Sequence, residues 1–214
     1  MNQQTCFILG GGPSLQGFNY SLIKDFTVIG TNRAFEFFPE TTYNYIMDFS
    51  FYRAIIQGQH KIGDNLQTYQ KWCAYRGTKV LAEPSSKEGS IDASIRQIKR
   101  LPYNAISFDV SKGITTGNNS GFGAMMLAVA LGFKIIGLLG FDMKLDKEKT
   151  NYHRGYPRST VNRIQANLNA FKGVFNTVAP ALKAQKIHVF NLFRGSELTC
   201  FPKLELEEFL ARVG

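Results

Sequence analysis

The chain has 214 residues, of which 44% are hydrophobic and 19% are charged, and its formal net charge is +9. This composition is typical of a folded globular protein and excludes a disordered or low-complexity chain. The three cysteines, Cys6, Cys73 and Cys200, are too far apart to form a zinc-ligand pair, and their odd number argues against a disulfide framework.

The hydrophobic segments are too short to cross a membrane. The longest apolar run, around Met125–Leu139, is interrupted by Gly132 and Lys134, whereas a spanning helix needs about 20 consecutive apolar residues. The start of the chain also lacks the basic and apolar regions of a secretory signal. We therefore expect a cytoplasmic protein, with peripheral attachment at the inner membrane surface if its basic residues meet acidic lipids.

The excess of positive charge favours an anionic partner. There are 25 basic and 16 acidic residues, but the basic ones are scattered along the chain. No basic run with interleaved aromatic residues, of the kind that reads nucleic acids, is present. We therefore expect a nucleotide or an acidic membrane surface as the partner, and not a nucleic acid.

Strand and helix signals alternate along the chain, which is typical of one α/β domain with a mainly parallel sheet, here over residues 1–214. Near-continuous apolar runs predict the strands Thr5–Gly10, Thr27–Thr31, Tyr43–Met47, Lys79–Ala82, Ala105–Phe108, Lys134–Leu139 and Ile187–Asn191. The predicted helices are Phe49–Gln57, Ile91–Leu101, Ser120–Leu131, Val161–Gln185 and Leu204–Val213. The fourth has apolar residues at spacings of three and four, which predict one buried stripe: Ile164, Leu168, Phe171, Phe175 and Val178.

Three segments lack a clear periodicity of apolar residues. Gln57–Gln70 and Pro84–Gly89 are polar and are predicted to run over the surface. Residues 144–160 follow a predicted strand and are rich in Lys, Arg and Tyr. We expect this third segment to form a short lid over the carboxyl ends of the strands, where ligands bind in such folds.

Three glycines, Gly10, Gly11 and Gly12, follow the first predicted strand and precede Pro13 and Ser14. Glycine lets a ligand approach the backbone, and free amides ahead of a helix attract an anion. Pro13 suits the first turn of a helix, and Ser14 can cap that helix or donate its hydroxyl to a ligand. The run matches neither the P-loop nor the dinucleotide fingerprint. Two interpretations therefore stay open: a phosphate-binding turn, or a tight corner between two elements.

A second polar turn precedes the helix predicted from Ser120. Up to the start of that helix it contains five polar residues, Thr115, Thr116, Asn118, Asn119 and Ser120, together with Gly117 and Gly121. One interpretation is a helix N-cap by Asn119 or Ser120, which contributes about 1 kcal/mol. Since a cap needs only one residue, the other interpretation is a grip on a nucleotide or a sugar.

Polar residues also follow three of the predicted strands. Asn32, Asp48 and Asp142 each stand at a carboxyl end of a strand. In an open α/β sheet these ends meet at one edge, so the residues are expected to converge on one crevice that binds a small molecule.

Four stretches of the sequence resemble a known group of enzymes. "ILGGGPSL", "GTNRA", "NNSGFGAMMLAVALGFKIIGLLGFDM" and "FNLFRGSELTCFP" together resemble the bacterial lipooligosaccharide sialyltransferase family. They are also similar to the wider superfamily that includes flagellin-modifying motility accessory factors and archaeal 6-hydroxymethylpterin diphosphokinases. The resemblance covers most of the chain in order, and short prophage-encoded relatives share the same set.

The resemblance implies a Rossmann-like domain, with helices on both faces of the sheet, that binds a CMP-activated sugar. It implies an inverting reaction that needs no metal and no cofactor beyond the donor substrate. Together with the strand-end argument, it assigns nucleotide binding to Gly11, Gly12, Pro13, Ser14, Asn32, Asp48, Asn119, Ser120, Gly121 and Asp142.

His153 is the candidate base that takes the proton of the acceptor hydroxyl. It stands in "NYHRGYPR", and its ordinary pKa of about 6.5 suits proton abstraction near neutral pH. The resemblance assigns support of the departing phosphate to Tyr152 and Tyr156. Arg154 and Arg158 can hold a phosphate or carboxylate by paired donors and would keep the histidine neutral.

Two departures from the family leave other functions open. Gly11 stands where the family has asparagine, and only ten residues separate Asp142 from His153. The first alternative is an ATP-dependent pterin-type diphosphotransferase with Mg²⁺ on Asp48 and Asp142, although the chain has no Asp-x-Asp pair. The second is a non-catalytic nucleotide-binding phage or prophage accessory protein. A glycan acceptor and a homo-oligomer are further expectations from the relatives.

Overall fold

The computed structural model describes residues 4–57, 65–84, 90–145 and 161–214. Their strands, in chain order, are β1 (Thr5–Leu9), β2 (Thr27–Thr31), β3 (Tyr43–Ile46), β4 (Thr78–Ala82), β5 (Arg96–Ile98), β6 (Arg100–Leu101), β7 (Ile114–Thr115), β8 (Ile135–Leu139) and β9 (His188–Asn191). Their α-helices are α1 (Ala34–Phe37), α2 (Phe49–Ile56), α3 (Asn65–Ala74), α4 (Ser120–Ala130), α5 (Val161–Ala184) and α6 (Leu206–Val213).

Seven of these strands form one sheet in the order β5-β4-β3-β2-β1-β8-β9, and every neighbouring pair is parallel. Successive strands from β1 to β5 run toward one edge, and the chain then returns to place β8 on the other side of β1. The strand order therefore reverses between β1 and β8. In open α/β sheets this reversal opens a crevice at the carboxyl ends of the two strands.

Both faces of the sheet are covered, as the alternation of side chains along β1 demonstrates. All five residues of β1 are buried. Cys6 and Ile8 belong to the core cluster that contains α4, whereas Phe7 packs edge-on against Phe209 of α6 with ring centroids 5.3 Å apart. Because successive side chains of a strand point to opposite faces, the helices lie on both sides of a Rossmann-like parallel sheet, which confirms the predicted fold class.

Most predicted elements are confirmed to within one or two residues, but two are wrong. The stretch 91–101 was expected to be a helix, and Ile91, Ile95 and Ile98 do have helical spacing. Instead, the Asp92 carboxylate accepts a hydrogen bond from the Ser94 amide at 2.7 Å and forms a turn, after which β5 and β6 begin. Pairing of β5 with β4 at the edge of the sheet provides the hydrogen bonds that a helix would have made.

The predicted strand Ala105–Phe108 is a loop. The Thr115 hydroxyl donates to the Ala105 carbonyl, and the Ser107 hydroxyl donates to the Asp109 carbonyl at 2.8 Å. These side chains satisfy the backbone locally, so the segment does not need a partner strand.

The polar stretch 57–70 was predicted to run over the surface without regular structure. Instead, its last part belongs to α3, which begins at Asn65. Trp72 is 4% exposed and packs edge-on against Phe35 with centroids 5.1 Å apart, which anchors α3 beside α1. Residues 58–64 and 85–89 lie outside the described residues. In the described ranges no helix has both the length and the apolarity to span a bilayer.

The corner after β1 is bonded tightly to the end of β8. The Gly10 amide donates to the Leu139 carbonyl and the Gly12 amide to the Gly140 carbonyl, each at 2.8 Å. The Ser14 amide and hydroxyl donate to the two oxygens of Asp142 at 2.9 and 2.7 Å. These four bonds hold the two strand ends on either side of the crevice.

This close approach requires glycine at position 12. A Cβ atom there would lie 1.9 Å from Asp142 Oδ2 and 2.6 Å from the Gly140 carbonyl oxygen. Since the carboxylate is held by Ser14 and the carbonyl belongs to the backbone, neither can move away cheaply. By contrast, a Cβ on Gly173 in α5 would have no neighbour within 4 Å.

We predict that Gly12→Ala lowers the free energy of unfolding by about 1–3 kcal/mol, because the added methyl group overpacks the corner. Gly173→Ala is the matched control and should raise that free energy by about 0.5–1 kcal/mol, because alanine favours the helix. Urea denaturation measures both values. Wild-type stability in Gly12→Ala would contradict the described corner.

Candidate functional site

A cleft of about 430 Å³ opens at the carboxyl edge of the sheet. Its walls are the ends of β1, β2, β3 and β8, the first turn of α4 and one face of α5. All the residues assigned to nucleotide binding line this cleft except Pro13 and Ser14: Gly11, Gly12, Asn32, Asp48, Asn119, Ser120, Gly121 and Asp142. The predicted convergence of strand ends on one crevice is therefore present in the structure.

The cleft also contains residues that were not predicted to bind the nucleotide. Thr31, Met47 and Asn118 immediately precede predicted site residues, and Met143 and Lys144 follow one. On α5, Leu168 and Phe171 were expected to belong to a buried stripe, but they are only partly buried and line the cleft with Asn167. Helical spacing identifies the inward face of α5, but it does not reveal where that face passes from the core to a cavity.

The glycine turn is not the nest of free amides that a phosphate-binding turn needs. The amides of Gly10, Gly12 and Ser14 are all consumed by bonds to the end of β8, and the Ser14 hydroxyl is bonded to Asp142. Among the described residues, only the Gly11 amide in this turn has no acceptor. Of the two interpretations, the structure supports the tight corner, with Pro13 beginning a short 3-10 helix as expected.

The first turn of α4 differs from the glycine turn, because two of its successive amides have no acceptor among the described residues. The Asn119 side-chain oxygen accepts a hydrogen bond from the Phe122 amide at 2.8 Å, which confirms the predicted N-cap. The amides of Ser120 and Gly121 have no acceptor within the described part of the chain, as is usual for the first turn of a helix. Asn119 is 8% exposed, and its side-chain NH₂ group likewise lacks a described partner.

Strained backbone conformations are concentrated at the cleft. Four described residues other than glycine have positive φ, and three of them line it: Asn32 (52°), Asn118 (50°) and Met143 (52°). The Asn32 amide donates to the Tyr45 carbonyl, and the Asn44 side chain donates to the Asn32 carbonyl, each at 3.0 Å. These bonds hold Asn32 in its strained conformation and leave its carboxamide at the cleft wall. Strain of this kind concentrates at functional sites.

The two aspartates of the cleft differ in their partners. Asp142 is 3% exposed, and both of its oxygens accept hydrogen bonds from Ser14. Asp48 is accessible and has no side-chain cap bond to α2. Removal of water by the surrounding protein raises the pKa of Asp48, and the positive charge of Arg100 partly opposes that effect.

Lys144 is the one lysine or arginine that lines the cleft in the described ranges. Its Nζ atom lies 5.3 Å from the centroid of the Phe193 ring, a cation–π contact that restrains the side chain. In the same ranges, no three His, Cys, Asp or Glu side chains are grouped so that they could hold a metal ion.

The predicted catalytic histidine and its neighbours lie outside the described residues. These are Tyr152, His153, Arg154, Tyr156 and Arg158, and with them the lid segment from residue 146 onward. Their assignments remain predictions from the sequence.

No protein-family model and no curated protein matches the chain. The chain is similar to a solved structure of a tyrosine-to-phenylalanine variant of the sialyltransferase CST-II in complex with CMP. The two chains are 16% identical, and the alignment covers 92% of this chain and 84% of that chain with a TM-score of 0.50. At this identity the similarity is one of fold, so this chain has the fold of a sialyltransferase whose structure contains CMP.

Proposed function

We propose that this protein is a glycosyltransferase that uses a CMP-activated sugar as its donor. The observation that carries the proposal is the cleft at the strand reversal between β1 and β8, in a fold shared with a CMP-bound sialyltransferase. Reversals of this kind are the general ligand site of open α/β sheets.

The size and lining of the cleft suit a mononucleotide with an attached sugar. A volume of about 430 Å³ is within the usual range for small-molecule sites. Met47, Phe141 and Phe171 offer apolar surface to a base or a sugar ring, while the Asn32 carboxamide offers both a donor and an acceptor to a base edge. Asp48 is the accessible carboxylate and is assigned to the ribose hydroxyls.

The proposed reaction is a direct displacement at the sugar. An oxygen of the glycan acceptor attacks the anomeric carbon from the face opposite the phosphate, and the bond between that carbon and the phosphate oxygen breaks. CMP leaves with the bonding electrons, the anomeric centre inverts, and His153 takes the proton of the acceptor hydroxyl. Tyr152, Tyr156, Arg154 and Arg158 are proposed to support the departing phosphate.

Thermal denaturation with a panel of nucleotides tests the donor class. We expect CMP and CDP to raise the melting temperature equally well with Mg²⁺ and with EDTA, whereas UDP, ATP and GTP should not. A ligand at 100 times its dissociation constant adds about 2.7 kcal/mol to the free energy of unfolding. Stabilisation by ATP only with Mg²⁺ would contradict the proposal and favour the diphosphotransferase. Tight CMP binding without CMP release from any CMP-sugar would favour an accessory protein.

We predict that Asp48→Asn weakens nucleotide binding but raises the free energy of unfolding at pH 7. The raised pKa of Asp48 means that its charged form is disfavoured in the folded state, so wild-type stability falls as the pH rises through the interval above the ordinary aspartate value. The variant should therefore be more stable than wild type at pH 7, and this advantage should vanish below about pH 4. Its affinity for both CMP and cytidine should fall about tenfold or more, because a charged acceptor for the ribose is lost.

Asp109→Asn is the control for this variant, because Asp109 lies outside the cleft and hydrogen bonds from Ser111 lower its pKa. It should not gain stability at pH 7, and its affinity for CMP should equal that of wild type. Unchanged CMP affinity in Asp48→Asn would remove Asp48 from the proposed site.

His153→Ala should abolish transfer to the acceptor and leave CMP affinity nearly unchanged, since the base acts on the acceptor and not on the nucleotide. His188→Ala is the control, because His188 is an exposed residue of β9 outside the cleft. Transfer is followed by CMP release from a CMP-sugar in the presence of acceptor glycans. Full turnover by His153→Ala would exclude this residue as the base.

A further inference from the structure

Transfer from a CMP-sugar creates negative charge on the phosphate, and this inference rests on the proposed function. The phosphate carries one negative charge while it is bonded to the sugar and gains a second as that bond breaks. A reaction without a metal needs positive charge from the protein at this point. The question is which described residues provide it.

The glycine turn after β1 is excluded by its hydrogen bonds. Gly10, Gly12 and Ser14 already donate their amides to the end of β8, so an anion placed there would meet one free donor at most among the described residues. The carboxylate of Asp142 is also part of this wall of the cleft and would repel an anion.

Lys144 lines the cleft and, unlike most amides of the glycine turn, has no acceptor among the described residues. It lies two residues beyond Asp142, and the positive φ of Met143 turns the chain between them. The ring of Phe193 lies 5.3 Å from its Nζ atom. A Cβ on Gly195 would lie 3.3 Å from the same atom, so the ammonium group is packed against this loop.

The ammonium group of Lys144 has no carboxylate partner within the described ranges, where the ion pairs involve Arg33, Lys172 and Arg194. A lysine held against an aromatic ring without a counter-ion, at the wall of a cleft, is a binding group for an anion.

The first turn of α4 provides the remaining donors. Phe141 and Gly121 are in close contact, because a Cβ on Gly121 would lie 2.8 Å from the Phe141 ring. The segment that carries Lys144 and the start of α4 therefore meet within the same cleft. Asn119, Ser120 and Gly121 line it as well, and Asn119 is 8% exposed. The amides of Ser120 and Gly121 and the Asn119 NH₂ group have no acceptor in the described ranges.

We propose that Lys144 binds the phosphate of the CMP-sugar, opposite the first turn of α4, and stabilises the second negative charge as CMP departs. The anion thus lies beside α4 and not on the glycine turn. The ligand class that this site selects is a nucleoside monophosphate or its sugar ester, in preference to the free nucleoside.

Lys144→Met and Lys144→Arg test this assignment. Methionine keeps the apolar stem against Phe193 and removes the charge, while arginine keeps the charge. The matched control is Lys79→Met, because Lys79 makes the other described cation–π contact of a lysine, 5.0 Å from the Trp72 ring, and lies outside the cleft. The measurement is the dissociation constant of CMP and of cytidine for each full-length variant, by calorimetry at fixed salt.

We expect Lys144→Met to bind CMP about ten- to a hundredfold more weakly, the usual effect of losing a hydrogen bond between charged groups, and to bind cytidine as wild type does. Lys144→Arg should retain most of the CMP affinity, and Lys79→Met all of it. Equal losses for CMP and cytidine, or no loss for either, would overturn the role of Lys144.

An error in the proposed function can be distinguished from an error in the role of Lys144 by the binding of nucleotides to wild type. If wild type prefers another nucleoside monophosphate to CMP, the CMP donor is wrong, and the same variants test Lys144 with that nucleotide and its nucleoside. If wild type binds no nucleoside monophosphate at all, both the donor class and the phosphate site are overturned.

Discussion

The carboxylate of Asp142 is the contact on which the candidate site depends. It accepts hydrogen bonds from the amide and the hydroxyl of Ser14 and so ties the end of β8 to the corner after β1. Gly12 leaves the space for that carboxylate, because any side chain there would overlap it. The crevice at the strand reversal can therefore stay open as a cleft while its two sides remain rigidly connected.

Because Asp142 and the glycine turn are bonded to each other, other groups of the cleft must bind a ligand. Donors that are bonded to each other cannot also bind a ligand without losing those bonds, so the corner after β1 acts as a scaffold. Apart from the Gly11 amide, the cleft donors without an acceptor in the described ranges include the first-turn amides of α4 and Lys144, and the accessible carboxylate is Asp48. In the proposed function, the α4 side of the cleft binds the anion and Asp48 binds the hydroxyls of a nucleoside monophosphate.

The cleft also carries features that do not favour stability. Asn32, Asn118 and Met143 adopt left-handed backbone conformations, and the charged form of Asp48 is disfavoured by its surroundings. Residues other than glycine adopt such conformations only when neighbouring bonds hold them there. Their position around one cleft is consistent with a site that holds polar groups ready for a ligand at some cost in stability.

The sequence by itself determined the α/β alternation, most of the strands and helices, and the convergence of Asn32, Asp48, Asn119 and Asp142 on one edge of the sheet. It could do so because buried parallel strands are continuous apolar runs and because their carboxyl ends share one edge. Local spacing failed at residues 91–101, where pairing with β4 outweighed a helical pattern. Only the tertiary structure decided which amides of the two turns are free, since hydrogen bonds such as that from Ser14 to Asp142 join residues 128 positions apart. For the same reason, the contact that places Lys144 on Phe193 became visible only once the chain was folded.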